Sequence, residues 1–162
     1  MDSMPRAILV LVLACVCRAA QPSGALPRNP ELVSLERQAF ELVNNERAWR
    51  GLARLKWDPR LAEEARRQAS NMATRYFFSH VDPVRGDLPD RLRKAGIPWH
   101  ECSENLLQES GYDEPARFAV LTWMESPGHR KNILNRNVTH AGVGAARRSD
   151  GTLFLAQVFI SP

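Results

Sequence analysis

Apolar residues in this chain recur at helical spacing over four stretches, and near the end they change to the short runs of strands. That change limits the fold to helices packed on a small sheet. Leu35, Ala39, Leu42, Val43 and Ala48 share one helical face, and Gly51 closes the pattern as a helix terminator does. Asp58-Pro59 opens a second helix, with a capping carboxylate followed by the residue suited to a first turn. Leu61, Ala62, Ala65, Ala69, Met72 and Ala73 supply its apolar stripe to about Tyr76, and Glu63 and Glu64 lie near the positive end of its dipole. Asp87 to Ala95 reads as a short third helix closed by Gly96 and Pro98. A fourth opens at Asp113-Glu114-Pro115, carries Phe118, Ala119, Leu121, Thr122 and Met124, and is bounded by Ser126-Pro127-Gly128. Extended runs occupy Ile97–Leu107, Ala141–Ala146 and Leu153–Ile160, the last two joined by a Ser149-Asp150-Gly151 hairpin turn. The expectation is an α+β protein with helices on both sides of a small, largely antiparallel sheet.

The 162 residues have room for one domain and one conventional core. Arg6 precedes an apolar run from Ala7 to Cys17, and Cys17-Arg18-Ala19 places small residues at the minus-three and minus-one positions of a cut after Ala19. Residues 1–19 therefore read as a secretory signal peptide, too short for a comfortable membrane span of about 20 apolar residues. Val12-Leu13-Ala14-Cys15 loosely matches a bacterial lipoprotein box, so a lipid anchor on Cys15 is the lesser alternative to a secreted or periplasmic product. Residues 20–34, rich in proline, are expected to be a flexible linker, and the domain to occupy residues 35–162.

Export removes Cys15 and Cys17, so the mature chain keeps only Cys102 and makes no internal disulfide. Cys102 is expected to be buried on a strand. Removal of Asp2, Arg6 and Arg18 leaves 20 basic and 17 acidic residues. Arg60, Arg66, Arg67, Arg75, Arg91, Arg93 and Lys94 on the helices are expected to form a solvated face with Glu63, Glu64 and Asp90. No basic run is interleaved with aromatics, which excludes a nucleic-acid site. No anchor is expected in the mature chain, and a monomer is the simplest state.

Three segments carry chemistry. Phe78-Ser79-His80-Val81-Asp82-Pro83 puts an imidazole on a loop, Ser103-Glu104-Asn105-Leu106 puts a carboxylate on an extended run, and Ser126-Pro127-Gly128-His129 delivers a second imidazole from a turn. With Leu42-Val43-Asn44-Asn45-Glu46-Arg47, Gly51 to Asp58, the Trp123 to Leu134 stretch, Gly142-Val143-Gly144 and Ala156-Gln157-Val158-Phe159, they resemble the CAP superfamily in their order. That superfamily comprises the cysteine-rich secretory, antigen 5 and pathogenesis-related 1 proteins, here in the compact bacterial form called SCP-like. The resemblance runs from about Leu35 to Phe159 and implies a three-layer αβα sandwich.

It also implies a shallow cavity lined by two histidines and two acids, which in some members holds a divalent cation such as zinc. His80, Glu104 and His129 match three of these positions, with Asn105 and Ser126 as neighbours. An acid expected three residues after Trp123 is replaced by Ser126, and the adjacent Glu125 sits about 100° away around a helix. Ser103 stands where the family commonly has glycine. Serine catalysis through Ser79 or Ser126 has no supporting motif. The leading expectation is an exported, non-enzymatic module binding a ligand or partner in the envelope or outside the cell. The alternatives are a metal-dependent hydrolase using His80, Glu104 and His129 with Zn2+ or another divalent cation, and a lipid or sterol binder using Phe77, Phe78, Leu106, Leu107 and Tyr112.

Overall fold

The computed structural model describes residues 28–162. The signal peptide, the Cys15 alternative and residues 20–27 of the linker lie outside the described residues. Helix α1 spans Pro30–Ala48 and begins on an Asn29 cap whose side chain accepts from the Glu31 amide at 2.9 Å. Residues 30–34 are therefore helical and belong to the domain, not to the linker. Asn29-Pro30-Glu31 is a cap, a first-turn proline and a dipole-matched acid, and the proline that suggested a linker is a start signal.

Strand β1 (Lys56–Trp57) leads into α2 (Pro59–Arg75), capped as expected by Asp58, whose Oδ1 accepts from the Arg60 amide at 2.8 Å. Next come α3 (Leu88–Lys94), β2 (Glu101–Glu109), α4 (Pro115–Glu125), α5 (Pro127–Ile133), β3 (His140–Arg147) and β4 (Leu153–Ser161). The segment after Ser126 is not a simple turn. Ser126 ends α4 and its carbonyl accepts from the Arg130 amide at 2.8 Å, so Pro127 takes the first position of a new helix.

The sheet order is β1-β3-β4-β2, with β4 antiparallel to both neighbours and β1 parallel to β3. Residues Leu153–Ile160 of β4 are all buried because helices cover both faces of the sheet. Alternation along the strands divides the core. Leu107, Val143, Leu155 and Phe159 pack with Phe40, Val43, Val120 and Trp123 of α1 and α4. Leu106, Phe154, Ala156 and Val158 pack with Leu61, Ala65 and Met72 of α2 and with Leu92 of α3. This is the expected three-layer αβα sandwich. Trp123 is fully buried, and its indole Nε1 donates to the Leu106 carbonyl at 3.0 Å, which satisfies the polar end of the largest core side chain. Trp57 and Trp99 only flank the two halves of the core.

Helix α2 ends on Tyr76, at φ 55°, the single non-glycine residue with positive φ among the described residues. Glycine is favoured at such a cap, while the Tyr76 ring gains only an exposed contact with the Arg148 guanidinium at 5.0 Å. Tyr76→Gly is expected to stabilise the protein by about 0.5 kcal/mol, the relief of backbone strain exceeding the lost contact. A fall in the urea midpoint would show that the ring contact wins.

Candidate functional site

His80 sits on the loop between α2 and α3, and the buried side chain of Asp82 shapes that loop. Asp82 Oδ1 accepts from the amides of Val84 (2.8 Å) and Arg85 (2.9 Å), and Oδ2 from Asn71 Nδ2 at 2.6 Å. Burial opposes ionisation of Asp82, but these donors and the nearby Arg85 outweigh it and hold its carboxyl below the usual range. Gln68 Nε2 of α2 adds a bond to the Ser79 carbonyl at 2.9 Å. The Ser79 hydroxyl accepts from the Val81 amide at 3.0 Å, so it serves the loop.

The loop brings His80 to Glu104 of β2, with Nδ1 3.0 Å from Oε2. An ionised carboxylate oxygen only accepts, so Nδ1 carries a proton, and in the neutral form of the ring Nε2 is left as the acceptor. The other carboxylate oxygen, Oε1, accepts from Arg91 Nη2 at 2.8 Å. Arg91 is fully buried, as is its other neighbour Glu64, whose Oε1 lies 3.8 Å from Arg91 Nη1. Neither joins a solvated face, contrary to the sequence expectation. The signal was present: Leu88, Arg91 and Leu92 share a face of α3, and Leu61, Glu64 and Ala65 share one of α2.

His129 lies on α5, and two amides clamp that helix to the strand carrying Glu104. Asn105 Nδ2 donates to the His129 carbonyl at 3.3 Å, while Asn132 Nδ2 reaches the Glu104 carbonyl (3.2 Å) and Asn105 Oδ1 (2.9 Å). Burial, and secondarily repulsion between its ring and that of His80 when both are protonated, lower the pKa of His129. Its Nδ1 is buried and has no hydrogen-bond partner within the protein.

An open cleft of about 340 Å³ is lined by His80, Asp87, Leu88, Pro89, Cys102, Ser103 and Glu104. Of the residues singled out from sequence, His80 and Glu104 line it together, and Asn105 supports it from behind. His129 approaches His80 without lining this cleft, and Ser126 serves as the α4–α5 junction. Ser103 has an ordinary negative φ, so its place before Glu104 strains nothing. Cys102 is half-buried and faces the cleft, where burial foremost, then the charges of Asp87 and Glu104, raise its thiol pKa. Arg91, Glu64 and Asp87 complete the site and were not singled out from sequence.

The donor set does not fit a three-ligand zinc centre. Both oxygens of Glu104 already have partners, and among the described residues no three His, Cys, Asp or Glu side chains are grouped to hold a metal ion.

The profile of the cysteine-rich secretory protein family, CAP, matches residues 40–159. YlbC of Bacillus subtilis (strain 168), described as an uncharacterized membrane protein, is 40% identical over 113 residues, which is 70% of this chain and 32% of that protein. YkwD of the same organism, described as an uncharacterized protein, is 37% identical over 126 residues, 77% of this chain and 48% of that one. The crystal structure of an extracellular protein containing a SCP domain from Bacillus anthracis str. Ames superposes with a TM-score of 0.71 at 31% identity, over 85% of this chain and 45% of that one. The chain thus spans about a third to a half of the length of the relatives it matches. With the family match running from the second half of α1 to all but the last two residues of β4, this chain belongs to the cysteine-rich secretory protein (CAP) family.

Proposed function

We propose that this chain is an exported CAP-domain binding module whose His80–Glu104–His129 region receives a small ligand without hydrolysing it. One observation carries the reading: both oxygens of Glu104 are engaged, by Arg91 at 2.8 Å and His80 at 3.0 Å. A carboxylate so committed is a poor general base and a poor metal ligand, but a good anchor for an imidazole. Export is supported by the signal-like residues 1–19 and by the extracellular relative. No helix among the described residues is long and apolar enough to cross a membrane.

The test begins with zinc calorimetry on the protein and on its His80→Ala and His129→Ala variants. Zinc is expected to bind more weakly than about 1 μM, since two imidazoles alone make an incomplete site. Tighter binding that both variants lose would replace this reading with the metal-dependent hydrolase. Mass spectrometry of small molecules extracted from the protein purified from its native host completes the test. A compound held by the wild type and lost in His80→Ala supports ligand binding at the cleft, and its absence from both opposes it.

A second reading, lipid or sterol carriage, is favoured by a groove of about 900 Å³ between α1 and α4, lined among others by Leu42, Trp49, Val120 and Leu121. Trp49 is 88% exposed there. The residues expected from sequence do not form this surface. Leu106 and Leu107 are buried on opposite faces of the sheet, and Tyr112 stacks on Phe118 in an adjoining cleft. A lipid retained by His80→Ala and lost in Leu121→Asp would place carriage in the groove.

A further inference from the structure

Charged groups beneath the cleft alternate in sign along a line of contacts whose middle members are buried. Arg85 Nη2 donates to Glu64 Oε2 at 2.5 Å, and Glu64 Oε1 lies 3.8 Å from Arg91 Nη1. Arg91 Nη2 donates to Glu104 Oε1 at 2.8 Å, and Glu104 Oε2 meets His80 Nδ1 at 3.0 Å. The side chains of Glu64, Arg91 and Glu104 are at most 2% exposed, whereas that of His80 is 56% exposed. The line runs from the buried interface of α2 and α3 to a single ring in solvent.

We propose that Arg91 is a positioning residue for His80. The planar fork of its guanidinium lies between Glu64 and Glu104, so it fixes one oxygen of Glu104 and leaves the other directed at the imidazole. An exposed histidine on a loop ordinarily samples several rotamers and both neutral tautomers. Here a carboxylate immobilised from behind holds Nδ1–H inward and presents the Nε2 lone pair to the cleft. This deepens the binding reading and rests on it in one respect, the class of ligand. In its neutral form this ring presents an acceptor to the cleft, which selects a group that donates a hydrogen bond.

The test is nitrogen-15 NMR of the imidazoles at pH 8, where the ring nitrogen bearing the proton is read from its chemical shift. His80 is expected to carry its proton on Nδ1 in the wild type. Arg91→Gln, folded by its amide spectrum, is expected to give mixed tautomers at His80, while the exposed His100 serves as an unchanged control. Arg91→Lys keeps the charge but replaces the fork with a single point, and it should lose the preference in part. A wild-type His80 protonated on Nε2, or an unchanged Nδ1–H preference in Arg91→Gln, overturns the proposal. Should Arg91→Gln fail to fold, Arg91→Lys decides, and a tautomer identical to wild type overturns the proposal. A protein that shows the tautomer and its dependence on Arg91, yet retains no ligand at the cleft, overturns the binding reading and leaves the positioning role standing.

Discussion

Gly144→Ala is expected to abolish stable folding or to cost about 4 kcal/mol or more, a loss reserved for substitutions that break a close approach. A Cβ at Gly144 would lie 2.0 Å from the Arg66 amide nitrogen and 2.3 Å from the Ala65 carbonyl carbon. Gly142 meets the same wall two residues earlier, with a Cβ 2.1 Å from the Ala62 nitrogen. Real Cβ contacts essentially never fall below 3.0 Å. The obstacle is helical backbone, which yields only if α2 as a whole moves off β3. Such a shift opens the interface where Leu61, Ala62, Ala65 and Ala69 are fully buried. It also carries away Gln68 and Asn71, the α2 side chains that hold the His80 loop. Gly51→Ala is the matched control: φ is +69° there and nothing lies within 4 Å, so only backbone strain of about 1 kcal/mol is at stake. Urea denaturation of the three proteins checks this. A Gly144→Ala midpoint equal to that of Gly51→Ala would mean that the sheet tolerates a wider helix spacing.

Gly142-Val143-Gly144 shows how far the sequence speaks and where it stops. Two glycines alternating in a strand run mark one face on which nothing protrudes, but the residues that fill that space, Ala62 and Arg66, belong to a helix far earlier in the chain. Local chemistry was legible wherever both partners were neighbours: Asp58-Pro59 as a helix start, Ser149-Asp150-Gly151 as a turn. It misled where one residue served two elements. Ser126 ends α4 and starts α5, so proline and glycine after it looked like a break in structure. Within the site, His80 and Glu104 were legible through the family resemblance. Arg91 was not, because a charged helical residue is ordinarily solvated, and only its place between Leu88 and Leu92 hinted otherwise. What distinguishes it is a buried acid on each side, Glu64 from α2 and Glu104 from β2, and those are tertiary facts.

The same reasoning makes Arg47 the second critical residue, and Arg47→Met is expected to cost about 3 kcal/mol. Arg47 is 1% exposed and has no carboxylate partner among the described residues. Its Nε donates to the Ala53 carbonyl at 2.9 Å, and Nη1 donates to those of Ile133 (2.7 Å) and Asn135 (2.8 Å). Nη2 makes a longer contact with Val138 at 3.5 Å. These carbonyls belong to the loop after α1, to the last residue of α5 and to the segment that leaves it for β3. Burial lowers the Arg47 pKa, a sign that the protein spends stability to keep this cation inside. Methionine removes that cost yet strands the buried Ile133 carbonyl and deprives the part-buried ones of Ala53 and Asn135 of their donor, and the second effect is larger because each orphaned buried acceptor costs about 1–3 kcal/mol. Arg47→Lys retains the charge, but its single ammonium cannot span carbonyls on both sides of the fork, so it should recover less than half of the loss. Hydrogen exchange then separates a general loss from a local one. Because Ile133 ends the helix that carries His129, faster exchange in Arg47→Met should be greatest from α5 to β3 and should reach the Asn132 clamp on Glu104. Uniform acceleration across α1, α2 and α5 would show instead that Arg47 stabilises the domain as a whole and has no particular hold on the histidine helix.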